Sequence, residues 1–102
     1  MEPGESSEPI RERVLAARRR QIDRLGPGRT NSKMTPREIR EKIVLTDDSR
    51  DFLRTVTAKM NLSARVFDRV LKVGRTIADL AGSDEVGKSH LAEAVQYREQ
   101  GF

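Results

Sequence analysis

The chain has 102 residues, with 20 Lys plus Arg against 16 Asp plus Glu, one Tyr, three Phe, no Trp and no Cys. That length fits one small domain and leaves no room for a second core or a deep enclosed active site. The lack of cysteine excludes a disulfide framework, thiolate metal sites and thiol catalysis, and the single histidine, His90, leaves no imidazole cluster for zinc.

No run approaches the roughly 18 to 20 apolar residues that a membrane-spanning helix needs. The opening Met1-Glu2-Pro3-Gly4-Glu5 has neither the basic nor the apolar region of a signal peptide. A soluble, cytoplasmic protein without a metal site is expected. Residues 1–8 carry no apolar side chain after Met1 that would offset the cost of ordering, and read as a flexible tail or linker ahead of a helical domain over 9–102. Pro9 suits a first helical turn, and Ile10, Val14, Leu15, Ala17, Ile22 and Leu25 recur at helical intervals, which predicts a first helix over 9–25. Gly26-Pro27-Gly28 ends it, and residues 29–34 read as a polar loop.

Thr35-Pro36-Arg37-Glu38 is a capping box with proline at the first helical position, and predicts a short second helix over 36–43. Thr46-Asp47-Asp48-Ser49 supplies a cap with carboxylates at the positive end of the next helix, which carries Phe52, Leu53, Val56 and Met60 to about Asn61. Ser63 caps the longest apolar stripe, from Val66 through Phe67, Val70, Leu71, Val73, Ile77, Ala78 and Leu80 to Ala81, and Gly82 ends it. This fourth helix, 64–81, is the expected core element. Ser89 reads as the cap of a last helix through Leu91, Ala94, Val95 and Tyr97. No segment alternates with period two. The fold class is therefore all-α, a small bundle of four or five helices with short connections.

The net charge is +4, and fifteen arginines stand against five lysines. Arginine's planar fork suits phosphates, so nucleic acid or a nucleotide phosphate is the first partner class, although most of these arginines alternate with Asp and Glu as on a solvated helix surface. Gly26-Pro27-Gly28-Arg29-Thr30 superficially resembles a phosphate loop, but it has no Lys-Ser/Thr after the required spacing and no preceding strand. Arg18, Arg19 and Arg20 are the candidate nucleic-acid contacts. Successive helical residues point about 100° apart, so they form one phosphate-tracking row only if Arg11, Arg13 and Arg24 join them. No pair of carboxylates takes general acid and base roles, and His90 has no nucleophile beside it, so no catalytic residue is assigned.

Arg65 is different. With Ser63 as cap it falls at the second helical position, where free N–H groups and the positive helix end already favour an anion. A cation there costs roughly 0.3 to 1 kcal/mol. Either an incoming phosphate explains it, or a carboxylate such as Asp68 or Asp48 pairs with it. Arg69, one turn on, shares its face, and Arg75 faces elsewhere.

The run from Leu62-Ser63-Ala64-Arg65-Val66-Phe67-Asp68-Arg69 to Asp79-Leu80-Ala81-Gly82, followed by His90-Leu91-Ala92-Glu93-Ala94-Val95-Gln96-Tyr97-Arg98, closely resembles the C-terminal domain of the magnesium-chelatase-like AAA+ ATPases of the bacterial ComM type. The likeness extends upstream through Thr35-Pro36-Arg37-Glu38, Asn31, Gln21 and Gly4-Glu5-Ser6-Ser7, and so covers nearly the whole chain. Gly74 departs from the Ala usual in the family, and the turn at 26–30 is longer. The resemblance implies a helical lid following an ATPase core, in ring-forming, hexameric motors linked to DNA processing and branch migration. In such ATPases an arginine opening a lid helix senses the γ-phosphate of ATP, a role that falls here on Arg65, with Arg69 assisting. The phosphate loop, the Mg²⁺-binding carboxylates and the arginine finger would then belong to a core outside this chain. Because Met1 stands at the family's core-to-lid connection, an excised domain, inactive by itself, is expected. The reading from a different class is an autonomous basic DNA-binding module built on the first helix. A third is a purely structural subunit contact.

Overall fold

The computed structural model describes residues 3–99, with side chains from 8 to 97, and arranges them as five helices. These are α1 (Pro3–Leu25), α2 (Pro36–Lys42), α3 (Asp47–Met60), α4 (Ala64–Leu80) and α5 (Lys88–Glu99), with a 3₁₀ turn at Asn31–Lys33. The chain is all-α, as its periodicity predicts.

The three middle helices start where a hydroxyl meets an orphan N–H. Thr35 Oγ1 accepts from the Glu38 amide while the Glu38 carboxylate accepts from the Thr35 amide, completing the capping box. At α3 and α4 only the hydroxyl half is present, with Thr46 accepting from the Ser49 amide and Ser63 from the Val66 amide. Asn61, in the left-handed region at φ 51°, closes α3, and Gly82, at φ 75°, turns the chain after α4 without the Cβ penalty another residue would carry there.

Helix α4 is the centre, packed mainly on α5 and then on α1. Its Val70, Leu71 and Ala78 meet Leu91, Ala94 and Val95 of α5, Ile39 of α2, Leu53 of α3, and the loop residues Met34, Ile43 and Val86. Gly74 marks the closest approach of α4 to α5, since a Cβ there would stand 2.8 Å from Leu91 Cδ2. Among the described residues the only β-type pairing is an isolated parallel bridge between Leu45 and Val86, with the Thr46 amide donating to the Val86 carbonyl and the Val86 amide to that of Val44.

Four expectations are corrected. Helix α1 starts at Pro3, so Pro9 lies inside it and six residues of the expected 1–8 tail, 3–8, are helical; Met1 and Glu2 lie outside the described residues. A proline at the start of a helix needs no N–H partner, and Pro3 meets that condition as well as Pro9 does. The 29–34 segment is more than a polar loop, because Asn31 and Met34 are buried. On α4 the buried line runs through Val70, Leu71, Gly74, Arg75, Ala78 and Asp79, while Leu80 and Ala81 are exposed, a rotation that trades apolar for ionic residues. Helix α5 begins one residue before Ser89, and His90 Nδ1 accepts from the Gly87 amide at 2.9 Å, doing from the third helical position what the Glu of a capping box does.

Candidate functional site at the opening of the fourth helix

Ser63, extended at φ −70° and ψ 161°, turns the chain into α4 and satisfies the Val66 amide with its hydroxyl. No acidic residue occupies the first turn, so nothing neutralises the positive helix end from within. Arg65 stands at the second position, exposed, and makes no hydrogen bond or ion pair with any described residue. The pairing with Asp68 or Asp48 considered from sequence does not form: Asp48 accepts instead from the Thr46 hydroxyl at 2.5 Å.

From this turn a groove of about 670 Å³ runs along α4. Arg65, Arg69 and Lys72 line it, with the carboxylate of Asp68 between them and Thr76, Ile77 and Tyr97 beyond. At 1.5 Å rise per residue, the seven residues from Arg65 to Lys72 span about 10 Å of wall. Lys72 Nζ donates to the Ser32 carbonyl at 3.2 Å, which ties the far lip to the 3₁₀ turn. Arg65 and Arg69 are thus brought to one groove, as their spacing predicts.

Behind this wall lies a polar cluster that periodicity did not reveal. Asp79, 1% exposed, accepts from both terminal nitrogens of Arg24 at 3.0 and 2.8 Å and lies 3.0 Å from Arg75, itself 1% exposed. Asn31 Nδ2 donates to Asp79 at 2.9 Å and to Thr76 Oγ1 at 3.1 Å, and the Asn31 amide donates to Gln21 Oε1. The Arg75 guanidinium also donates to the carbonyls of Ser83 and Asp84, holding the α4–α5 turn. Burial pulls the Arg75 pKa below its ordinary value, and neighbouring Asp79 works against that pull. The sequence signal was available: Arg75 and Asp79 are four residues apart on an otherwise apolar stripe, the spacing of a helical ion pair.

The run Arg18-Arg19-Arg20 does not make a joint surface. Arg18 and Arg19 are exposed, but Arg20 reaches Asp84 at 2.6 Å and the Gly82 carbonyl at 2.9 Å, and that contact holds the Asp84 carboxyl below its ordinary pKa. Arg24, one of the residues needed to extend the row, is committed to Asp79. Arg29, from the turn with the superficial phosphate-loop look, is bidentate to Glu38 at 2.7 Å on both oxygens, which holds the Glu38 carboxyl down at about 2.

Among the described residues no three His, Asp or Glu side chains come together to hold a metal ion, and no helix is long and apolar enough to cross a membrane. What the groove offers is one free guanidinium on a helix N-terminus, with two further cations along the wall.

Five helices centred on one amphipathic helix and braced by a buried Arg–Asp–Arg cluster define a small all-α helical domain. Residues 4–98 match the model of the magnesium chelatase subunit ChlI C-terminal family, and the chain belongs to that family. It is an AAA+ ATPase-related C-terminal domain. The chain is 42% identical over 95 residues to competence protein ComM of Haemophilus influenzae, covering 93% of this chain and 18% of that protein. It is 42% identical over 96 residues to YifB of Escherichia coli, with 94% and 19% covered, and 35% identical over 100 residues to a Mycobacterium bovis protein, with 96% and 20% covered. The chain thus spans about a fifth of the length of these relatives.

Proposed function

We propose that this domain is the nucleotide-sensing lid of an AAA+ ATPase, and that Arg65 contacts the γ-phosphate of ATP held, with its Mg²⁺, by a core domain outside these residues. The observation that carries the reading is Arg65 itself, a cation placed against the sign of its own helix end and paired with no carboxylate among the described residues, although Asp68 lines the same groove. An arriving phosphate would gain both the guanidinium and the α4 amides at one point. When hydrolysis removes that phosphate the contact is lost, and a lid docked through it is free to swing relative to the core. Arg69, one turn along the same groove, extends the cationic surface. The partners in this reading are the core of the same protein and neighbouring subunits of a hexameric ring. A place in DNA processing such as branch migration belongs to the same reading; one relative is named a competence protein.

The test is Arg65→Ala in the full-length parent. ATP turnover should fall on the order of 10²-fold, the scale of losing one preorganised donor to a developing charge. Unchanged turnover and unchanged nucleotide affinity would refute the assignment. The rival DNA-binding reading is weakened by the commitment of Arg20 and Arg24 to carboxylates. Titrating the chain with duplex and single-stranded DNA at two salt concentrations separates the two, since tight binding with a steep salt slope would favour the rival.

A further inference from the structure

On the other flank of α4, away from Arg65, lies a second groove that the nucleotide reading does not use. Leu45, Leu53, Ala58 and Phe67 wall a hollow of about 490 Å³. It runs into an adjoining hollow of about 450 Å³ that shares Leu45, Leu53 and Phe67 and is floored further by Ile39 and Leu71. The trough is apolar within and cationic at its edge. Arg40, Arg50 and Arg54 line the two hollows against the single carboxylate of Asp68. Arg40 has no ion-pair partner among the described residues, and Arg50 and Arg54 reach only Asp47 and Asp51, at 3.6 and 3.4 Å on the exposed surface, contacts too loose and wet to hold them.

We infer that this trough docks an acidic segment of a partner protein that inserts a bulky apolar side chain between α3 and α4. The apolar floor would take a leucine- or phenylalanine-sized anchor. Carboxylates flanking that anchor would meet Arg40, Arg50 and Arg54. The rim charge selects acidic over basic segments, because like charges brought together at an interface oppose binding. The surface is independent of Arg65 and stands or falls separately from the nucleotide reading.

The probe is a short fluorescein-labelled helical peptide with Leu and Phe one turn apart and Glu elsewhere, alongside a companion with Lys in place of every Glu. Anisotropy with the 102-residue chain should show saturable binding of the Glu peptide, weaker at high salt, and none of the Lys peptide. Arg50→Glu combined with Arg54→Glu should weaken binding about tenfold or more. Ala58→Trp, which fills the trough from an exposed position, should do the same while the circular dichroism spectrum is unchanged. Amide shifts in NMR spectra should concentrate at Leu45, Leu53, Ala58 and Phe67. Absence of binding at millimolar peptide, equal binding of the Lys peptide, or binding indifferent to both variants would overturn the inference.

Discussion

Arg65 and Arg75 lie on the same helix and have opposite fates. Arg75 is 1% exposed, ion-paired to Asp79 and bonded to two carbonyls of the α4–α5 turn, whereas Arg65 is exposed and bonded to nothing described. The first is held because taking a guanidinium out of water is costly unless every strong donor finds an acceptor. It nearly succeeds, and only Nε is left over. The second costs little where it stands, since water solvates it, but it adds nothing to the fold either. A charge that stabilises its surroundings is explained by them. A charge that does not stabilise them is free to meet a partner, which is the role proposed for Arg65.

The sharpest way to break this contrast is at Asp79. Replacing it by Asn keeps the shape but leaves Arg24 and Arg75 facing each other without a counter-charge. Unfolding free energy by urea titration should fall by about 3 to 5 kcal/mol, the scale of breaking one side of a buried pair. A loss below about 1 kcal/mol would mean that the cluster is wetter than its exposure indicates.

A second, smaller effect separates local from tertiary charge. His90→Ala removes the acceptor for the Gly87 amide at the start of α5, and should cost about 1 kcal/mol, the usual scale of a helix cap. The loss should appear as faster amide exchange in the first turn of α5 and leave the Asp79 cluster intact.

The Arg29–Glu38 pair gives a pH signature. Glu38 is held at about 2 in the folded chain against an ordinary 4.5, chiefly by Arg29 and then by the Thr35 amide. A depressed folded pKa means that the native state favours the ionised form, so the contribution is complete above about 4.5 and disappears as pH falls toward about 2. Thermal midpoints should therefore decline through that window, and Glu38→Gln should flatten the decline while leaving the slope at higher pH unchanged.

The capping residues show how much of the fold was legible in the sequence. Thr35, Thr46 and Ser63 each act within three residues of themselves, so the starts of α2, α3 and α4 follow from short-range chemistry, and Arg65's place at the second position of α4 follows with them. Asp79 was not legible as a hub, because its partners Arg24 and Asn31 lie 55 and 48 residues away in the chain and only the packed fold joins them. Val86 is similar. It reads as loop, yet it is fully buried because its bridge to Leu45 draws it under α4. The apolar stripe misled in one respect, since Leu80 belongs to it by spacing while Asp79, beside it, occupies the interior.

The smallest predicted effect on stability is the one that matters most for the proposed role. Arg65→Ala removes a cation from the N-terminal turn of α4, where it opposes the helix dipole, and introduces the residue with the best helix propensity. The isolated chain should become no less stable, and on that ground alone should gain about 0.3 to 1 kcal/mol. In the full-length parent the same change should impair ATP turnover. Asp79→Asn should show the reverse ordering in the isolated chain, with a large loss of stability at a position that faces no ligand. If Arg65→Ala instead destabilised the chain by more than about 1 kcal/mol, the arginine would be part of the scaffold, and its exposure at the helix end would carry no message about a phosphate.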